Sequence, residues 1–381
     1  MAKPLVLNHA RIVLGDEVIQ GCLYLADGQV ADISHSQSTL PAAVDCERDY
    51  LLPGLVELHT DNLERHIKPR PGVKWPAIPA VLGHDAQIIA SGITTVLDAI
   101  ALGEVNDGAQ RVELLQTMAD ALDSARASNI LRADHLLHLR CEVVYPELMT
   151  LWERFRQAPS LKLVSLMDHS PGQRQFVKID KYYEYYQGKY GLSDEQMEAF
   201  INTQLSHAEK YSDLHRGLIA SDCQGLGIAL ASHDDATKAH AMESVALGMV
   251  IAEFPTTVEA ASVSHEQGMK VMMGAPNVVR GLSHSGNVSA RALAEMGLVD
   301  VLSSDYVPSS LLLAAFSLYQ HNEQISLPQA VAMVSSVPAA AIGLHDRGEI
   351  ALAKRADVLR VAEYQQIPLV KSVWVCGNQV Y

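Results

Sequence analysis

Through its middle the chain alternates short apolar runs with longer mixed stretches. The runs suit buried parallel strands, and none reaches the 18 residues of a membrane span. Eight can be read in order: 55–59, "GITTVLDAI" (92–100), "LLHLRCEVV" (136–144), "LKLVSLMD" (161–168), "GIALAS" (227–232), "VIAEF" (250–254), "KVMMG" (270–274) and "DVLSS" (300–304). The stretches between them carry helix ends, as where Thr257 precedes "VEAASVSHEQ" and Gly268 follows it, or Asn287 precedes "VSARALAEM" and Gly297 follows it. Eight β and α units alternating over about 250 residues predict an α/β fold, a (β/α)8 TIM barrel rather than an open doubly wound sheet.

Both ends of the chain read differently, as short strands with turns. The first 50 residues include Asp27-Gly28, a hairpin signal, and the last 35 run "GEIALAKRADVLRVAEYQQIPLVKSVWVCGNQVY". We expect the termini (1–50 and 347–381) to meet in a small β-sandwich domain, with the barrel spanning 51–346. One connection is too long for a barrel loop. An insertion at about 170–222 is rich in tyrosine and lysine, and its helix opens with the capping signal Ser193-x-x-Gln196. It could be a lid over the catalytic face, a packing element or a subunit contact.

The strand "LVELHTDN" brings in chemistry, because alternation puts Glu57, His59 and Asp61 on one face and Val56, Leu58 and Thr60 on the other. Other predicted strands end alike, in Glu142, His169, His233 with Asp234, and Asp305. In a barrel those ends converge on one mouth, where imidazoles and carboxylates without cations would be costly; a pair of divalent metal ions removes the cost. Glu57 and Asp234 read as supports beside the ligands. Glu142 has a competing reading as the partner of Arg140. His135, His138, His207, His215 and His265 lie within strands or helices and read as structural.

Composition narrows the partners. The chain has 381 residues, 48% of them hydrophobic, and a formal net charge of −15, which argues against nucleic acid and anionic membranes as partners. An anionic small molecule would need local cations, and three islands offer them. "NVVRGLSHSGN" (277–287) supplies Arg280, Ser283, His284, Ser285 and Asn287 on the loop after the seventh strand, a common phosphate site in barrels. "HIKPRPGVKW" supplies Lys68, Arg70 and Lys74, and the insertion supplies Arg174 with Lys178 and Lys181. Nothing resembles a P-loop, a dinucleotide fingerprint or a serine-hydrolase elbow. Five scattered cysteines without a CxxC pair, and no visible leader, make a cytoplasmic protein with free thiols the expectation.

"LLPGLVELHTD", "SGITTVLDA" and "VPAAAIGLHDRGEIALAKRADVLRV" resemble the amidohydrolase superfamily, metal-dependent barrels with a small β-sandwich made from both termini. "ELHTDNLERHIKPRP", "SLMDHSPGQRQF", "YYQGKY", "ASHDDAT", "AEFPTT", "GAPNVVRGLSHSGN" and "LSSDY" resemble its phosphonate-metabolism branch. The resemblance implies metal ligands at His59, Asp61, Glu142 (bridging), His169, His233 and Asp305, with Asp305 also moving the proton. It implies two zinc ions, with Mn²⁺ or Fe²⁺ as alternatives because Asp61 and Glu142 enrich the site in oxygen. It further implies cleavage of a phosphoanhydride in a ribose 5-triphosphate bearing methylphosphonate at C1. The rival readings are a carbon–nitrogen hydrolase of the same superfamily and a non-catalytic scaffold in a carbon–phosphorus lyase assembly. A homo-oligomer, with partners among the proteins of that pathway, is a further expectation.

Overall fold

The computed structural model describes residues 3–103, 110–176, 179–281 and 287–381. The N-terminal strands are β1 (Leu5–Val13), β2 (Val18–Ala26), β3 (Gln29–Ser34), β4 (Val44–Asp45) and β5 (Tyr50–Pro53). β2 turns into β3 at Asp27 (φ 52°) and Gly28 (φ 80°), two consecutive left-handed residues of the kind a two-residue hairpin requires.

Gly54 leads directly from β5 into the second sheet. There β6 (Leu55–Thr60), β7 (Ile93–Leu102), β8 (Asp134–Glu142), β9 (Leu161–Met167), β10 (Ala229–His233), β11 (Ile251–Glu253), β12 (Lys270–Gly274) and β13 (Val301–Ser303) pair in parallel in sequence order. Each apolar run of the sequence is one of these strands. They are apolar on both faces because both are covered. Val56, Leu58, Leu97, Leu163, Ala231, Ile251, Met272 and Val301 fill the barrel, and Leu55, Ile93, Val96, Val164, Leu230 and Leu302 pack outward with the helices.

The barrel closes between β6 and β13, and it does so chiefly at the top. There Asp305 N–H donates to the His59 carbonyl (3.1 Å) and Asp61 N–H to the Asp305 carbonyl (3.2 Å). Lower down the two strands part, and Val56 and Leu302 N–H groups donate instead to the carbonyls of Val334 and Met333, which wedge between them. Closure is therefore tightest where the candidate ligands stand.

From the C-terminal side, β14 (Val358–Tyr364), β15 (Ile367–Val375) and β16 (Asn378–Gln379) join the first sheet, β14 pairing antiparallel with β5. The ends of the chain thus meet as expected and share one core of Leu7, Ile12, Leu23, Leu51, Val358 and Trp374. Arg347 ties this part to the base of the barrel through Asp134 (2.6 Å) and Thr95 (3.0 Å).

The insertion forms a short 3-10 turn (Arg174–Phe176), a helix at Ile179–Tyr190 and a 33-residue helix at Asp194–Leu226. Ser193 caps the long helix in a reciprocal box with Gln196. Phe176, Tyr182, Tyr186 and Met197 form a separate buried cluster, and Phe176 meets the His169 ring edge-on at 6.3 Å. The insertion therefore has its own small core, and it meets the barrel mouth through Phe176 and through Arg216, which pairs with Asp168 at 3.1 Å.

Candidate active site

The end of β6 departs from simple alternation. Its ladder with β7 slips by one residue between Glu57 and Thr60, a bulge of the kind that re-aims side chains near active sites. Glu57 turns into the seam and His59 into the mouth, so the two do not share a face as expected. The Glu57 carboxylate accepts hydrogen bonds from His59 N–H (2.7 Å), Ser303 Oγ (2.9 Å) and Ser304 N–H (2.6 Å). It is fully buried and fastens β6 to β13; burial raises its pKa against the pull of these hydrogen bonds. At the mouth, three residues next to strand ends hold positive φ without being glycine: Asp234 (56°), Phe254 (54°) and Asp305 (54°). Such conformations cost energy and cluster where a side chain must be aimed.

Three imidazoles converge there. The His59 and His233 ring centroids lie 6.3 Å apart, and those of His233 and His169 lie 6.0 Å apart. Each ring has its Nδ1 against a carboxylate: His59 on Glu253 (2.7 Å), His169 on Glu142 (2.5 Å) and His233 on Asp234 (3.0 Å). A carboxylate on Nδ1 fixes the proton there and leaves the Nε2 lone pair for a metal ion, the usual support of a ligating histidine. Asp61 Oδ1 is 3.7 Å from His59 Nε2, and one ligand atom each of His59, Asp61 and Asp305 lies within 4.8 Å of the others. His169, His233 and Asp234 form a second group of the same tightness.

The electrostatics fit a bound cation. His233 Nε2 and Glu253 Oε2 are buried, face each other at 3.6 Å and have no hydrogen-bond partner. Burial disfavours the charged form of His59, yet the Glu253 carboxylate overrides it and lifts the imidazole to about 10. Burial likewise opposes ionisation of Glu253, but the charged and hydrogen-bonded His59 imidazole holds its carboxyl well below the usual range. Asp305 is pushed upward, by burial first and by Asp61 next. Without metal the cluster must thus recruit a proton to tolerate its carboxylates, and a divalent ion takes that proton's place.

The remaining candidates divide. Glu142 is spent on His169, its second oxygen accepting the His169 N–H at 3.1 Å, so it braces that imidazole and is in neither of the two groups. Its other expected partner, Arg140, pairs with Asp61 at 3.2 Å. Arg280 and Asn287 line the same cavity as His59, His233 and Asp305, a pocket of about 180 Å³. Lys68 lines a second cavity beside it, whereas Arg70 and Lys74 are exposed on the loop that walls that cavity. Arg174 is a correction: its guanidinium is buried and paired with Asp235 and with Glu243 (2.7 Å), so its charge is already neutralised within the protein. Lys181 is paired with Glu184. Ser283, His284, Ser285 and Lys178 lie outside the described residues.

Sequence reasoning missed Glu253, which lies between His59 and His233. The strand-end criterion would have found it, since it closes the three-residue β11. His138, set aside as structural, lies under the site with both nitrogens used, by the Leu58 carbonyl and Ser165 Oγ (2.9 Å each). Burial drops its pKa to about 3 and keeps it neutral.

The family and the fold recur in known proteins. An amidohydrolase family model matches residues 86–381. Alpha-D-ribose 1-methylphosphonate 5-triphosphate diphosphatase of Escherichia coli K12 is 50% identical over 378 residues, covering 99% of this chain and all of the relative. Among solved structures, N-acetyl-D-glucosamine-6-phosphate deacetylase from Mycobacterium smegmatis superposes with a TM-score of 0.64 at 15% identity, covering 99% of each chain. The 5-methylcytosine deaminase from Klebsiella pneumoniae gives 0.65 at 13%, again covering 99% of each. These two share the fold alone. With an eight-stranded parallel barrel, a family model that matches residues 86–381 and a relative 50% identical over 99% of its length, the chain belongs to the amidohydrolase family.

Proposed function

We propose that this chain is a metal-dependent hydrolase that splits the phosphoanhydride of alpha-D-ribose 1-methylphosphonate 5-triphosphate into the 5-phosphate and diphosphate, the activity its Escherichia coli relative is named for. The observation that carries the reading is one cavity lined both by His59, His233 and Asp305, groups that can ligate a metal, and by Arg280 and Asn287, groups that can bind an anion. His59, Asp61, His169, His233 and Asp305 would hold the metal, Glu253 completing the set between His59 and His233. Zinc suits the imidazole nitrogens, and Mn²⁺ or Fe²⁺ the carboxylates. When bound, such ions lower the pKa of a coordinated water and neutralise phosphoryl charge.

The chain's own groups do the rest. Asp305, whose carboxyl burial has made more basic, accepts the proton lost by the attacking water. Arg280 and Asn287 orient the substrate's anionic oxygens, and Arg140 keeps Asp61 in place through their ion pair. Phe254 and Pro255 give the pocket an apolar side that limits water. The free thiols at Cys22, Cys46, Cys141, Cys223 and Cys376 support a reducing compartment, and we place the enzyme in the cytoplasm.

The test is Asp305→Asn. We expect a folded protein with its metal content retained and diphosphate release reduced at least 10³-fold, followed by ³¹P NMR. Diphosphate release at the wild-type rate would overturn the role of Asp305. Wild-type protein that leaves the triphosphate intact would overturn the function.

A further inference from the structure

On the far side of Tyr306 lies a second, larger cavity of about 750 Å³, walled by Arg65, His66, Lys68, Trp75, Gln87 and Tyr306 among others. Tyr306 lines both cavities and directly follows Asp305, so the second space begins one residue from the proposed proton acceptor. The first pocket, at about 180 Å³, is below the 300–1,000 Å³ typical of small-molecule sites. A sugar carrying a triphosphate and a methylphosphonate must extend beyond it.

The charge of the second cavity decides which part of the substrate it suits. Among the described residues no aspartate or glutamate lines it, although the chain carries a formal −15. Elsewhere Arg140 is paired with Asp61, and Arg174 and Arg216 with Glu243. Among the described residues no carboxylate pairs with Arg65 or Lys68. Arg65 spends one nitrogen on the Tyr306 carbonyl (2.8 Å), which fixes its position and leaves further donors exposed. The His66 ring is held by Gln87 at 3.0 Å. Uncompensated cations gathered in one concavity form an anion site, and guanidinium and ammonium groups suit phosphate oxygens.

We propose that this cavity seats the terminal diphosphate of the substrate, bound chiefly by Arg65 and Lys68, and retains it after cleavage. The inference rests on the proposed function and fixes the direction of the substrate: sugar and methylphosphonate toward Arg280, diphosphate past Tyr306. Hydrolysis consumes one water and breaks the anhydride bond next to the diphosphate. The water's oxygen joins one fragment, its protons are shared between the products and solvent, and the departing diphosphate gains negative charge. Cations placed there stabilise that gain.

Trp75 supplies a direct readout. It is 53% exposed at the cavity, while Trp152 and Trp374 are buried. Metal-loaded full-length protein titrated with pyrophosphate should show a saturable change in tryptophan fluorescence that Trp75→Phe abolishes. In Arg65→Ala/Lys68→Ala, pyrophosphate should inhibit at least tenfold less tightly, and KM for the triphosphate should rise more than kcat falls. Arg65→Lys/Lys68→Arg should restore most of both, and methylphosphonate inhibition should stay within twofold. Both alanines replace side chains at the surface, and an unchanged melting temperature confirms folding. If wild type releases diphosphate and the double alanine variant keeps its KM and pyrophosphate inhibition, this inference falls and the proposed function stands. If wild type releases none, the function falls, and the fluorescence titration still decides whether the cavity binds diphosphate.

Discussion

Asp98 offers the sharpest test of the electrostatic reasoning, because it lies outside the metal centre and is buried with every partner it has. On the outer face of β7 it accepts from His84 (2.7 Å) and His135 (2.8 Å), and Asp85 stands 3.4 Å from the other side of His135. Burial alone would depress His135, yet the carboxylates of Asp98 and, next, Asp85 raise it to about 9. Lifting an imidazole from its ordinary 6.5 to that value corresponds to about 3 kcal/mol of stability. A raised folded pKa means this contribution is fully present below pH 6.5 and is lost as pH climbs through 9. His84 is depressed by burial and costs stability when the unfolded chain's histidine protonates below 6.5, so the network contributes most near neutrality. Asp98→Asn removes one member of a buried charge pair, which costs about 3–5 kcal/mol. Urea denaturation of the metal-loaded protein should show that loss at pH 6.5, and the gap between variant and wild type should narrow by about 3 kcal/mol by pH 10. A gap equally wide at both pH values would refute the assigned His135–Asp98 charge pair.

Other consequences follow from the same contacts. Glu253→Gln keeps an acceptor for His59 Nδ1 but removes the charge, and metal affinity should drop about 10- to 100-fold in chelator competition. Because the His59 imidazole is lifted to about 10 without metal, loading the apoprotein near pH 8 should release a proton, visible in calorimetry as a heat that varies with the buffer's ionisation enthalpy. Removing the metal should lower the melting temperature, and restoring zinc should reverse it. Gly54→Ala would drive a Cβ into the Thr94 side chain and to 2.9 Å from Asp357 Cβ, where the chain crosses from one sheet to the other. We expect a loss of about 1–3 kcal/mol in denaturation, with little change in KM.

How much of this was legible in the sequence depends on the range of the interaction responsible. Apolar periodicity is local, and each of the eight runs is a barrel strand; the strand-end residues His59, His169, His233 and Asp305 followed because parallel strands deliver their C-terminal ends to one face. The bulge at β6 was not legible, since a one-residue slip leaves no trace in composition and shows only when β7 supplies the register. Pairing was less legible still. Arg174 and Arg280 look alike on paper, both on loops after barrel strands; one is drawn inward because Asp235 and Glu243 fold against it, and the other lines the mouth. Glu142 reads equally as metal bridge, partner of Arg140 or brace, and only the approach of His169 and Asp61 from other strands makes it a brace. Strand order therefore places the chemistry, and carboxylates arriving from distant loops determine which cation or imidazole remains available to a ligand. A site argued from sequence is strongest for the residues that ligate and weakest for the charges that must be left over to bind substrate.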